Sequence, residues 1–151
     1  MSTISRVDLL DFMRDQSLAV VASVSDAGVP EAAVVGITVN DRFEVVFDGL
    51  ASSRKVRNLR ARPRAALVIG GMTPGDERTV QYEGIADEPT LHDLELLKEL
   101  YFLRFPAGRG RSGLPGVTYL RLRPSWIRFS DYNQDPPLVV EFDEFVAGPK
   151  H

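Results

Sequence analysis

The residues of this chain best placed by type and spacing to do chemistry lie between Ser52 and Arg64, in the run S-S-R-K-V-R-N-L-R-A-R-P-R. The run holds Arg54, Lys55, Arg57, Arg60, Arg62 and Arg64, six of 18 basic residues, in a chain of formal net charge −3. Pro63 pushes the residue before it out of the α region, and Ser52 or Ser53 can cap free amides, so the spacing predicts a short helix from about Arg54 to Ala61. Arg54 and Lys55 then sit at the positive end of the helix dipole, where a carboxylate would be more stabilising. Exposed amides, a hydroxyl and two cations converging on one helix start make a cradle for a phosphate. The same residues equally describe a solvated basic helix that buries only Val56 and Leu59.

Other chemistry is scarce. There is no cysteine, which excludes disulfides, thiolate metal sites and cysteine nucleophiles. His92 and His151 are the only histidines, so neither a multi-histidine metal site nor a Ser-His-Asp triad is expected. Glu95 and Glu99 read as a solvated helix face. The glycine- and arginine-rich stretch from Arg104 to Gly116 reads as a mobile loop able to meet anions, but it lacks the G-K-S/T ending of a phosphate-binding loop. A pI near 5.4 argues against nucleic acid as a partner. With no signal core and no run of membrane-spanning length, a soluble cytoplasmic protein is expected.

The elements that must position the basic helix follow from periodicity. At 151 residues one domain is expected, with Asp131 to His151 as a proline-punctuated, acidic extension. Ser5 to Asp8 has the shape of a capping box, opening a helix with Val7, Leu9, Leu10, Phe12 and Met13 as its apolar stripe. Leu18 to Val24 and Pro30 to Val39 form a hairpin around Ser25-Asp26-Ala27-Gly28. Asn40-Asp41 turns into a third strand, Arg42 to Phe47, with Phe43, Val45 and Phe47 on one face. After the basic helix come an apolar strand, Ala65 to Ile69, and an alternating one, Arg78 to Ala86. In the latter Thr79, Gln81 and Glu83 share a face opposite Val80, Tyr82 and Gly84. Thr90 and Asp93 begin a helix with Leu91, Leu94, Leu97, Leu100, Tyr101 and Leu103 as its stripe. Two strands, Val117 to Arg123 and Ser125 to Ser130, flank Pro124, and Leu138 to Phe142 is a further extended run. About six short strands with flanking helices predict a mainly β fold, a small antiparallel split β-barrel of Greek-key character.

In this order of elements the chain resembles the pyridoxamine 5'-phosphate oxidase-like, FMN-binding split-barrel family, from roughly Val7 to Tyr132. The resemblance rests on Phe47-Asp48 followed by Ser53-Arg54-Lys55, on Asn58-Leu59 with Pro63-Arg64, on Arg78 to Gly84, and on Pro124-Ser125-Trp126-Ile127-Arg128. It implies that Ser53, Arg54 and Lys55 bind the FMN phosphate. Phe47 and Asp48 correspond to the strand end that the cofactor crosses, and Thr79 and Gln81 to polar groups offered to the flavin, often by the partner subunit. A homodimer with cofactor at its interface is implied, with Trp126 either lining that interface or serving as a core or rim residue.

The chain also departs from the true oxidase. Where that enzyme opens its second-strand flavin motif with arginine and closes it with lysine, this sequence has Ala32-Ala33-Val34-Val35-Gly36-Ile37. After Trp126 it offers Arg128 but no histidine before His151. The resemblance therefore implies a flavin-dependent oxidoreductase acting on another small molecule. A deazaflavin (F420) reductase and a non-enzymatic split barrel holding a flavin, a haem or nothing are the other readings.

Overall fold

The computed structural model describes residues 3–146; His151 and the end of the expected C-terminal extension lie outside them. Helix α1 (Arg6–Asp15) begins as its sequence predicts. The Ser5 hydroxyl accepts from the Asp8 amide at 3.1 Å and the Asp8 carboxylate accepts from the Ser5 amide, closing the capping box. Leu9, Phe12 and Met13 are buried, whereas Val7 faces solvent.

Strands β1 (Leu18–Val24) and β2 (Pro30–Gly36) form the expected hairpin, turned by Gly28 at φ 80°, a conformation that a side chain resists. The second apolar run does not continue straight to Val39. It breaks after Gly36 and resumes as the two-residue strand β3 (Thr38–Val39), which pairs with β4 (Val45–Leu50). The third strand thus starts three residues later than the alternation predicts. The Asn40 side-chain oxygen accepts from the Arg42 and Glu44 amides, and this turn holds Phe43 at φ 61°. Phe43 still reaches the core by its ring.

The basic segment is helix α2 (Arg54–Ala61), and Arg62 before Pro63 leaves the helical region. Strands β5 (Arg64–Gly70) and β6 (Arg78–Asp87) follow. Helix α3 (Leu91–Arg104) buries Leu97, Tyr101 and Phe102, not the whole leucine stripe; Leu91 and Leu103 are exposed, and Thr90 makes no side-chain cap. In place of an unstructured loop, residues Gly108–Arg111 form the short helix α4.

The two expected final strands are one, β7 (Val117–Asp131), with β8 (Leu138–Phe142) beside it. Pro124 does not end the strand because it falls at a bulge. The register slips between Glu83 and Gly84, Gly84 stands opposite Pro124, and a bulge is one of the places where a strand tolerates a proline.

The eight strands of the described residues form one antiparallel sheet in the order β2-β1-β5-β6-β7-β4-β3, with β8 on β7. The sheet curls into a half-barrel around Val21, Phe47, Leu67, Tyr82 and Ile127. The Tyr82 hydroxyl lies 2.8 Å from the Phe43 carbonyl and 2.9 Å from that of Leu122, and burial holds its proton far above the ordinary tyrosine range. Phe12 of α1 meets Phe129 edge to face at 5.4 Å and closes one end of the barrel. The fold is the expected mainly β split barrel with flanking helices. Among the described residues no helix is long and apolar enough to cross a membrane, and no cluster of His, Cys, Asp and Glu could hold a metal.

Candidate functional site

The start of α2 is built by a turn. The Ser53 amide and hydroxyl both donate to the Leu50 carbonyl, at 2.9 and 2.7 Å, and Ser53 Oγ accepts from the Val56 amide at 3.4 Å. Ser53 is the N-cap, and the amides of Arg54 and Lys55 ahead of it have no hydrogen-bond partner among the described residues. Such amides are what a helix start offers to an anion.

The six cations separate by partner. Arg60 donates twice to Glu88, at 2.8 and 2.7 Å, and Arg62 reaches Asp26 and the Val24 carbonyl. The Arg60 bonds hold the Glu88 carboxyl below the usual carboxylate range, with a smaller contribution from Thr118. Arg54 pairs with Glu31 of β2 at 3.1 Å. Lys55, Arg57 and Arg64 have no ion-pair partner among the described residues, and Lys55 folds back over Gly49. A Cβ on that glycine would stand 3.3 Å from Lys55 Cε and 3.7 Å from Nζ.

Glu31 is a residue that sequence reasoning missed. Its carboxylate also accepts from Asn58 Nδ2 at 2.8 Å, and Asn58 bonds Ser23 at 3.1 Å, so α2 is pinned to the inner face of the hairpin. The signal was its parity with Ala33 and Val35, which share that inner face of β2.

Phe47 and Asp48 point opposite ways from β4. Phe47 is fully buried in the core, so only its backbone faces outward. Asp48 turns to α3 and α4, where Arg111 lies 3.3 Å away and the Tyr101 phenol is near enough to feel its charge. Tyr119 stands opposite Asp48 in the ladder, and its hydroxyl is the one buried side-chain polar atom without a partner among the described residues. Burial first, and then Asp48, raises the proton affinity of both phenols. Arg109 is likewise spent on Glu99, at 3.3 and 3.1 Å, and Arg104 on the carbonyls of Arg14 and Asp15. Those three arginines meet groups of the protein itself.

Thr79, Gln81 and Trp126 belong to another region, the outer face of the sheet. Gln81 and Trp126 line a shallow groove of about 390 Å³ with Val20, Ala22, Ala66 and Val68. Arg128 lies 5.3 Å over the Trp126 ring. Gln81 pairs with Arg128, whereas Asp48 pairs with Tyr119 nine positions earlier on β7. Nine residues of extended strand span about 30 Å. The chain therefore presents two groups of expected site residues at separate places along the sheet, one around α2 and Asp48 and one around Gln81 and Trp126.

The fold has many counterparts. The heme binding protein from Mycobacterium smegmatis superposes with a TM-score of 0.79 at 17% identity, over 95% of this chain and 60% of that one. The chain thus spans less than two thirds of that protein. HutZ, the heme storage protein from Vibrio cholerae, gives 0.69 at 16% identity over 79% of this chain and 89% of that one. A FAD-binding protein from Mesorhizobium loti gives 0.66 at 16% over 83% and 94%. At such identities these likenesses speak for the fold. No curated protein matches the sequence. The sequence profile described as pyridoxamine 5'-phosphate oxidase matches residues 8–131, from α1 to the end of β7, which takes in the α2 turn and the outer-face strands alike. By that match, and with the split barrel beneath it, the chain belongs to the pyridoxamine 5'-phosphate oxidase family.

Proposed function

We propose that this protein binds FMN by its phosphate at the start of α2 and acts as an oxidoreductase, moving hydride or electrons between a reduced donor and a small molecule. The observation that carries the reading is the pairing of two partnerless amides, Arg54 and Lys55, with a Lys55 ammonium that has no carboxylate of its own. These donors fit a phosphate monoester. Arg54 joins them by exchanging Glu31 for the ligand, and Ser53 by turning its proton from Leu50. The flavin supplies the redox chemistry, and the protein supplies placement and charge.

In this reading Phe47 and Asp48 flank the cofactor from their strand end, and Thr79, Gln81 and Trp126 approach it from a second protomer. The separation of the two groups along one sheet supports a homodimer with cofactor at the interface. Two fold neighbours are heme proteins, but the described residues of this chain hold one imidazole, His92, exposed at the start of α3, and no cysteine. That disfavours haem here.

The test is the visible spectrum of the purified protein together with titrations of FMN, F420 and haemin. A flavin band, or saturable FMN binding that Lys55→Ala weakens, supports the reading, and reduction of bound FMN by NADH or NADPH supports the oxidoreductase. Saturable binding of F420 or haemin alone overturns it.

A further inference from the structure

A groove of about 440 Å³ lies between the first turns of α1 and the chain that leaves β8, within the size range of small-molecule sites. Val7 and Leu10 line it from α1, Phe145 and Val146 from the other side, and the buried Phe43 ring forms its floor. The apolar lining is open to water: Val7 is 68% exposed and Val146 83%. Phe145 is half-buried and meets Phe43 edge to face at 5.9 Å. Phe43 stands before β4 and Ser53 after it, so the groove and the α2 start lie at opposite ends of a six-residue strand, roughly 20 Å apart.

Two guanidiniums edge the groove. Arg6 lies 5.4 Å from the centroid of the Phe142 ring and 5.2 Å from that of Phe145, and Arg42 comes from the turn before β4. Neither side chain has an ion-pair or hydrogen-bond partner among the described residues. Asp41 on the same turn is paired with Arg14 at 2.6 Å, which leaves Glu144 as the one lining carboxylate without a partner there. Unpaired charge at the groove is therefore two positive to one negative, in a chain of net charge −3. The turn itself is strained. A bulky residue rarely adopts the φ of 61° found at Phe43, and strain of this kind gathers at ligand clamps. Asn40 imposes it by accepting from the Arg42 and Glu44 amides, and so brings the Phe43 ring and the Arg42 side chain to one groove.

An apolar trough edged by uncompensated guanidiniums complements a molecule with an apolar body and an anionic head. A second copy of the chain would bring the same excess of positive charge, like against like. A singly charged head suits the site better than a phosphate, whose second charge would add to the repulsion from Glu144. We infer that the groove binds a single-chain carboxylate of the fatty-acid type. Its head meets Arg42 and Arg6, and its chain lies over Phe43, Phe145 and Leu10. This site is independent of the flavin reading above.

The experiment is a two-dimensional amide NMR titration of the full chain with decanoate below its micelle concentration, with decylammonium and decanol as probes of equal chain length. Decanoate is expected to give saturable shifts at the amides of Val7, Phe43 and Phe145, and to bind at least about tenfold more tightly than decylammonium. Arg42→Glu is expected to weaken decanoate at least about tenfold and to leave decanol within about twofold, whereas Glu144→Gln strengthens decanoate severalfold. Both residues are exposed, and unchanged spectra away from the groove establish that each variant folds. The absence of saturable shifts, shifts centred on α2 or the outer sheet face, equal affinity for decylammonium, or unchanged decanoate affinity in Arg42→Glu overturns the proposal. Groove amides that move with protein concentration alone place a second copy there and overturn it as well.

Discussion

Arg54 and Glu31 form an ion pair of 3.1 Å across the mouth of α2, and the other oxygen of the Glu31 carboxylate accepts from Asn58. A helix start that otherwise collects positive potential therefore carries its own negative group. Arg54 is largely exposed, so the pair adds little to stability, but the carboxylate opposes any incoming phosphate.

Glu31→Gln keeps an acceptor for Asn58 and removes the charge. FMN affinity is expected to rise by several-fold, up to about tenfold. Lys55→Ala, which deletes the cation without a partner, is expected to cost about 1.5–3 kcal/mol, and Arg54→Ala less, because its charge is already shared with Glu31. Fluorescence titration of FMN checks the order; equal affinities in all three variants would remove the assignment of the phosphate to this helix.

Asn58 sits within the fold with only 7% of its surface exposed, and its amide group bonds both Ser23 Oγ and Glu31 Oε1. Asn58→Ala leaves a buried hydroxyl and a carboxylate oxygen without that donor. The expected loss is about 1–3 kcal/mol of unfolding free energy, read as a lower urea midpoint with an unchanged slope.

What was legible in the sequence was what the chain decides locally. The Ser5 and Asp8 capping box, the Gly28 hairpin and the alternation of β6 depend on neighbours within a few residues, and the structure has all three. The Ser53 cap and the end of α2 at Pro63 are readable for the same reason. Less legible were bonds that periodicity does not encode, whether local or distant in sequence. The Asn40 side chain, not hydrophobic alternation, sets where β4 begins, and a bulge opposite Gly84 lets Pro124 stay within a strand. The arginines of the α4 segment read as free cations, yet Arg109 and Arg111 are claimed by Glu99 and by Asp48, the latter 63 positions away. Glu31, 23 residues before Arg54, is hidden from any reading that looks only along the basic run.

The Arg78 guanidinium binds Asp76 through two nitrogens, at 2.8 and 2.7 Å, and holds its carboxyl down at about 2. The folded value lies below the unfolded one. Whatever stability the pair contributes is therefore present above the ordinary carboxylate range near pH 3.9 and is lost as pH falls from there through about 2. An NMR titration of the Asp76 carboxyl carbon is expected to show the low value, and Arg78→Gln to return it to near 4. An ordinary value in the wild type contradicts the pairing in solution.

Gly84 marks the bulge where β6 and β7 change register, and it is there because a side chain has no room. A Cβ would lie 2.5 Å from the Arg123 carbonyl oxygen and 3.0 Å from the Tyr82 ring. The first obstacle is backbone within a paired strand, and the second is a ring fixed by its hydroxyl to two carbonyls, so neither yields cheaply. Gly84→Ala is expected to cost about 1–3 kcal/mol through displaced backbone. Gly110→Ala provides the contrast: nothing lies within 4 Å of its Cβ position, and it sits inside the short helix α4 with an ordinary φ. Its effect is expected to stay within about 0.5 kcal/mol. Urea unfolding of both variants gives the comparison. Equal stability in the two alanine variants would show that the bulge relaxes and that the strand crossing is not fixed by this glycine.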